Sequence, residues 1–338
     1  HTNTALVIVP TRELAIQIAQ HMEGLSYFTS VSSIAVYGGG DGNAFVQEKK
    51  ALSHGADVVI CTPGKMMAHI KMGYVKMSGL KYLVLDEADR MLDMGFYDDI
   101  MFIINSLPKK RQNLLFSATM PHKIRELARN ILHQPEEVNI SISKPPEKII
   151  QEAFIVYDTQ KIPLVKHLLH KKDFKSVLIF CSSKIAVKNL TRDLKRAKFL
   201  ADEIHSDLDQ TKREDVLIQF KSGRLPILIA TDILSRGIDI DNIDLVINYD
   251  VPHDGEDYVH RIGRTARAAA EGTAYTFVTV KEQRKFSGIE KLLGKPVPKA
   301  TVPEELGETP EYNTASSNAH AGNRKFNKPR RFQNKTNR

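Results

Sequence analysis

The chain has 338 residues, of which 42% are hydrophobic and 26% charged, with a net charge of +8. That is the composition of globular protein with room for two ordinary domains, and no apolar run approaches the ~20 residues that span a bilayer. The opening His1-Thr2-Asn3-Thr4 is not the basic start of a secretory signal, so a cytoplasmic location is expected. The first residue is not Met and a strand-like run follows almost at once, so the natural N-terminus is expected to lie upstream. Cys61 and Cys181 each close an apolar run, far from any Cys or His at ligand spacing. Both are expected to be reduced core residues, and a zinc site is not expected.

Short β-branched runs alternate with amphipathic stretches. In the first half strands are expected at Leu6–Val9, Ser33–Tyr37, Asp57–Cys61, Tyr82–Leu85, Asn113–Phe116 and Val138–Ile140. Helices such as Arg12–Tyr27 and Pro121–Leu132 separate them. The pattern breaks at Ser141–Glu147, where Pro145-Pro146 reads as an interdomain linker. It restarts with Ala153–Tyr157, Ser176–Phe180, Ile227–Ile229, Leu245–Asn248 and Ala274–Val278, with helices such as Lys184–Ala197 and Gln210–Ser222 between them. The expected class is α/β, two parallel sheets covered by helices. The divisions are residues 1–140, a linker at 141–150, a second domain at 151–294 and a tail at 295–338.

Charge is uneven. Seven of the 48 basic residues lie in 323–338 with no acid, and the remaining 41 face 40 acids. A tail of Asn, Lys, Arg and Pro, with Phe326 and Phe332 between the cations, cannot bury a core and is expected to be disordered. Interleaved basic and aromatic residues favour single-stranded nucleic acid over a merely solubilising end.

The chemistry concentrates where strands end. Tyr82-Leu83-Val84-Leu85 runs directly into Asp86-Glu87-Ala88-Asp89. At the carboxyl edge of a parallel sheet, two adjacent acids suit a hydrated Mg²⁺ and a water to be activated; the alternative is that they only cap the next helix. Pro10-Thr11-Arg12-Glu13 follows the first strand and opens a helix, a geometry suited to a phosphate. Gly38-Gly39-Gly40 and Thr62-Pro63-Gly64-Lys65 follow the next two strands in the same way. Ser117-Ala118-Thr119 ends a further strand, where a helix cap before Pro121 is the simpler use. In the second half, Thr231 to Asp239 joins two strands, and Asp239 could accept from a ribose hydroxyl. Arg261, Arg264 and Arg267 recur every three residues; on a helix they would share one broad face and repel unless an anion faces them. A solvated basic stripe and a pair of arginine fingers are the two readings.

The order of these motifs resembles that of the DEAD-box RNA helicases, superfamily 2 ATPases with two RecA-like domains, over about residues 5 to 292. The match is carried by Asp86-Glu87-Ala88-Asp89, with Pro10–Ala15, Gly38-Gly39, Thr62–Lys65, Ser117–Thr119, Gln210-Thr211-Lys212-Arg213, Ala230–Asp239 and His260–Arg267 in family order. Arg264-Thr265-Ala266-Arg267-Ala268 and the short basic tail resemble the bacterial RhlE-type branch. The resemblance implies ATP and Mg²⁺, with Asp86 holding the metal through water and Glu87 orienting or deprotonating the attacking water. Arg264 and Arg267 would reach the γ-phosphate, and Gly237 and Asp239 the nucleotide. Asp89, Ser117, Thr119 and His260 would couple phosphate sensing to domain closure. One RNA strand would be gripped by Pro10, Thr11, Arg12, Gly38, Gly39, Thr62, Pro63, Gly64 and Lys65 from the first domain. Ser183, Gln210, Arg213 and Thr231 would grip it from the second.

Three departures stand out. Lys65 occupies the usual place of an Arg, keeping the charge but losing the bidentate fork, and Ala266 stands where Gly is commoner. The third is larger: no Gly-x-x-x-x-Gly-Lys-Ser/Thr sequence occurs anywhere in the chain. The family's phosphate loop and adenine-reading glutamine motif would lie upstream of the first strand. The first domain is therefore expected to lack its N-terminal strand and P-loop, to expose an apolar sheet edge, and to hydrolyse ATP poorly alone. An ATP-independent RNA-binding or annealing module is the rival reading. A DNA-directed superfamily 2 translocase fits the fold but not Ala88-Asp89 or the Thr231–Asp239 pattern.

Overall fold

The computed structural model describes residues 2–40, 42–139, 149–171, 174–232, 240, 243–265 and 272–313. In the first half, β1 (Ala5–Ile8), β2 (Ser33–Val36), β3 (Val58–Cys61), β4 (Tyr82–Leu85) and β5 (Gln112–Leu115) form a parallel sheet in the order β2-β3-β1-β4-β5. Five α-helices precede the last strand or lie between strands, α1 (Arg12–Ser26), α2 (Gly42–His54), α3 (Pro63–Lys71), α4 (Ala88–Asp93) and α5 (Tyr97–Asn105), and α6 (His122–Ile131) follows it. Leu6, Ile8, Val59, Cys61, Leu83 and Leu85 are buried beneath the helices, each such aliphatic side chain contributing ~1.5–3 kcal/mol.

Register matters more than strand number. Ile8 lies opposite both Cys61 and Leu85, Val36 opposite Cys61, and Leu85 opposite Leu115. All five strands therefore end at one level, and the segments after them emerge along a single edge. β5 is the outermost strand on its side, and Leu114 and Phe116 are exposed there. The expected apolar edge is thus observed.

The second half holds six parallel strands: β6 (Ile149–Ile155), β7 (Val177–Phe180), β8 (Ala201–Ile204), β9 (Ile227–Ala230), β10 (Leu245–Asn248) and β11 (Gly272–Val278), ordered β6-β11-β10-β7-β9-β8. The helices are α7 (Asp158–Lys171), α8 (Lys184–Arg196), α9 (Gln210–Lys221), α10 (Gly255–Ile262) and α11 (Gln283–Leu293). β7, β9 and β10 are buried at every position, as continuous apolar runs in a doubly covered sheet should be. No described helix is long and apolar enough to cross a membrane.

Two expectations need correction, and one strand has no signal in the sequence. Val138 and Asn139 form no strand; Val138 is 85% exposed, and Ile140 lies outside the described residues. β8 gives no strand pattern, because Ala-Asp-Glu-Ile has acids at its centre; only Ala201 and Ile204 are buried, and Asp202 bonds Lys195. The tail does not begin at 295. Val297 and Val302 are buried, Ala153 and Lys299 form a parallel bridge, and Tyr312 donates to Glu290 at 2.6 Å. Apolar side chains spaced through an irregular, Pro-containing segment extend the second domain to 313 without a periodic signature. Most of the linker, and residues 314–338, lie outside the described residues.

Candidate functional site

β4 delivers Asp86 and Glu87 to the sheet edge. Glu87 adopts a left-handed backbone, φ 49° and ψ 50°, and its side chain makes no cap bond to α4. The capping alternative therefore fails for Glu87, and a non-glycine residue held at positive φ marks backbone strain of the kind found at functional sites. Asp86 accepts from the Glu87 N–H at 2.9 Å. Burial raises its pKa, opposed by that N–H and assisted by the Asp89 charge. A partly buried carboxylate with a raised pKa at a strand terminus is suited to a hydrated divalent cation, which would restore its ionised form. Among the described residues no group of three or more His, Cys, Asp or Glu could hold a metal.

Ser117 ties the β5 terminus to α4: its Oγ accepts from the Asp89 N–H at 3.3 Å and donates to the Thr119 carbonyl at 2.7 Å. It does not cap α6, whose N-cap is Pro121. Asp89 is buried and Ser117 half-buried, so the expected coupling residues Asp89, Ser117 and Thr119 form one connected unit.

Farther along the edge, Thr11 caps α1 through its hydroxyl, and Arg12 turns back over the glycines after β2. A Cβ at Gly39 would overlap Arg12 Nη1, and one at Gly38 would lie 3.4 Å from Nη2. Gly39 also has φ +93°, so the Gly-Gly pair is the bed on which the guanidinium lies. Thr62 precedes α3 with Pro63 in its first turn, and the Thr62 N–H bonds the Val36 carbonyl. Lys65, one turn in, reaches Glu48 at 3.0 Å.

In the second domain Ser183 caps α8 and Gln210 opens α9. Arg213 donates to the His205 carbonyl at 3.2 Å. Gln210 Oε1, Arg213 Nε and Thr231 Oγ1 are buried without a protein hydrogen-bond partner. The arginine stripe is corrected. Arg261 is 1% exposed, bonds Asp232 at 2.8 Å and Asn248 at 3.2 Å, and lies over the Phe180 ring. α10 ends at Ile262, so Arg264 lies in the turn beyond, its carbonyl bonded by the Ile243 N–H. The triplet spacing does not make a helical face, because one cation is an internal strut and the helix stops between the first and second. His260 is half-buried on the last turn of α10. Gly237, Asp239 and Arg267 lie outside the described residues.

The two edges meet. Arg213 Nη1 contacts Glu13 Oε1 at 2.5 Å, with both side chains at least 93% buried, and Arg90 donates to the Asp232 carbonyl at 3.0 Å. Between them lies a cavity of about 460 Å³ lined by Thr11, Arg12, Gly38, Thr62, Lys65 and Ser206, among others. Residues 1–127 match the model for DEAD/DEAH box helicases, and residues 160–269 that for the helicase conserved C-terminal domain. The chain belongs to the DEAD-box helicase family. It is 41% identical over 292 residues to ATP-dependent RNA helicase CshA of Listeria monocytogenes, covering 86% of this chain and 56% of that protein. It is 39% identical over 302 residues to ATP-dependent RNA helicase DbpA of Bacillus subtilis, covering 89% and 62%. Among solved structures, S. cerevisiae Dbp5 bound to RNA and ADP BeF3 superposes with a TM-score of 0.80 at 29% identity, over 90% of this chain and 79% of that one. The chain thus spans little more than half the length of these curated relatives.

In this DEAD-box protein the residues that join the two edges carry no signal of their own in the sequence. Glu13 falls inside Pro10–Ala15 and Asp232 inside Ala230–Asp239, and Arg90 follows directly on Asp89. Nothing in the sequence pairs positions 13 and 213, which lie 200 residues apart. The motif neighbourhood was the sole available signal.

Proposed function

We propose that this chain is the greater part of an ATP-dependent RNA helicase that locally separates short duplexes and remodels RNA–protein complexes in the cytoplasm. The observation that carries the reading is the set of buried, unpartnered atoms on Gln210, Arg213 and Thr231. Buried polar atoms are normally satisfied, and these three belong to the expected RNA grip. Their partners are assigned to the phosphates and 2′-hydroxyls of one strand, contacts that read A-form shape rather than base sequence. Lys65, Arg12 and the α1 and α3 termini hold the same strand from the first domain.

Glu87 orients or deprotonates the attacking water, Asp86 holds Mg²⁺ through water, and Arg264 and Arg267 neutralise the γ-phosphate as it leaves. Gly237 and Asp239 contact the nucleotide from the second domain. Asp89, Ser117, Thr119 and His260 link that chemistry to the position of the two domains. Base-pair stacking of roughly 1.4 kcal/mol per step means that closure worth a few kcal/mol opens only a few pairs per event. Arg264–Ala268 and the short basic tail support a place in the RhlE-type branch.

The sequence contains no Gly-x-x-x-x-Gly-Lys-Ser/Thr loop, so ATP turnover by these 338 residues alone is expected to be weak. The open edge of β5, beside Leu114, Phe116 and Met120, supports the seating there of a strand that brings the loop. RNA-stimulated ATPase activity, measured on this chain and on a version extended upstream through such a loop, tests the proposal. Activity in the extended form alone is expected. Activity in neither form, with salt-sensitive RNA binding in both, would sink the helicase reading and leave an ATP-independent annealing module.

The tail adds a second contact. Deleting 323–338, with its seven cations, is expected to flatten the salt dependence of binding by up to roughly 5 units of log–log slope on single strands. An unchanged slope in a salt titration would make the tail a bystander.

A further inference from the structure

Lys65 does not stand alone at the cleft. Beneath it, Glu48 on α2 holds two partners: its Oε2 takes Lys65 Nζ at 3.0 Å and His69 Nε2 at 3.1 Å, and its side chain is only 7% exposed. His69 is wholly buried, and its Nδ1 meets the Tyr74 hydroxyl. Burial keeps the imidazole below its usual pKa. The neutral ring that donates from Nε2 to Glu48 and accepts from Tyr74 at Nδ1 satisfies both contacts. Phe45 completes the arrangement, stacked on His69 with centroids 5.3 Å apart, while Lys65 Nζ lies 5.4 Å from the centre of the Phe45 ring.

A lysine is a flexible point charge with three rotatable donors, whereas an arginine carries its geometry in a planar fork. Here carboxylate and ring fix the ammonium from below, and Lys65 lines the cavity with its side chain 20% exposed. An ammonium has three donors, so this one keeps donors to spare for a strand held in that cavity. We propose that Glu48 is a positioning residue for RNA binding, which holds Lys65 in a fixed orientation and so supplies the pre-organisation a lysine lacks. This rests on the RNA reading of the cleft. The arrangement runs against simple electrostatics, because an acid next to a phosphate site should weaken binding. Its sign is what makes it testable.

The test is a double-mutant cycle of Glu48→Gln and Lys65→Ala in the full 338-residue chain, read by fluorescence anisotropy of a short labelled oligouridylate at fixed salt. Glu48→Gln is expected to weaken binding roughly three- to tenfold when Lys65 is present and not at all in the Lys65→Ala background. Tighter or unchanged binding in the first background overturns the proposal, since Glu48 would then act only as a repelling charge. Equal weakening in both overturns it too, since Glu48 would then act only through the core. Lys65→Arg, which leaves Glu48 in place, gives an independent reading. A change below about twofold is expected because the lysine is already oriented, and a gain of about tenfold would overturn the idea. If the wild-type chain fails to bind the oligonucleotide, the RNA reading itself falls. Wild-type binding with an uncoupled cycle removes the role of Glu48 alone.

Discussion

Glu87→Gln, made in a chain that carries the phosphate loop, is expected to lower RNA-stimulated ATP turnover by roughly 10²–10⁴ while nucleotide binding persists, the usual loss when a general base is removed. The amide keeps the size and a hydrogen-bonding oxygen of the acid but cannot take a proton. The side chain makes no cap bond to α4 and the backbone sits at φ 49°, so no helix cap is lost with the charge. Single-turnover hydrolysis alongside equilibrium binding of a fluorescent nucleotide separates the two effects. Turnover equal to wild type would remove Glu87 from the role.

Glu13→Gln is expected to reduce duplex separation and RNA-stimulated turnover by about two orders of magnitude, while each domain stays folded. Glu13 and Arg213 form a buried ion pair across the cleft at 2.5 Å, and removing one member of such a pair costs ~3–5 kcal/mol because the other is left buried and uncompensated. When the domains part, both groups regain water, so the cost falls on closure rather than on folding. Arg213 is also assigned to the RNA grip, so its own substitution would confuse two effects, and Glu13 is the cleaner probe. Unwinding of a short duplex checks the loss, and a charge-reversed Glu13→Arg/Arg213→Glu protein should recover part of it. Full activity in Glu13→Gln would mean that the pair does not hold the working arrangement.

Much of this was readable because it depends on local patterning. Tyr82–Leu85 announces a covered parallel strand, and such a strand fixes where Asp86 must emerge. The same reasoning places Pro10, Gly38, Thr62 and Ser117 along one edge. What sequence could not supply were properties that depend on a partner far along the chain. Arg261 looks like an exposed cation by spacing, but Asp232 and Asn248 draw it inside. Thr11 looks like a ligand hydroxyl, yet its oxygen is engaged by the Leu14 N–H. β8 hides behind Asp202 and Glu203, and the 295–313 segment behind its lack of period, because each is held by contacts with neighbours rather than by its own pattern.

The hydrophobic clusters divide cleanly. Among the described residues, two contain only positions up to 132 and three only positions from 149 onward. Among the described residues no apolar core is shared, and Glu13–Arg213 and Arg90–Asp232 bridge the halves through polar groups. Such a molecule has no single cooperative unfolding transition to which one free energy can be attached. Each half unfolds on its own terms, and a substitution buried in one core leaves the melting of the other nearly unchanged.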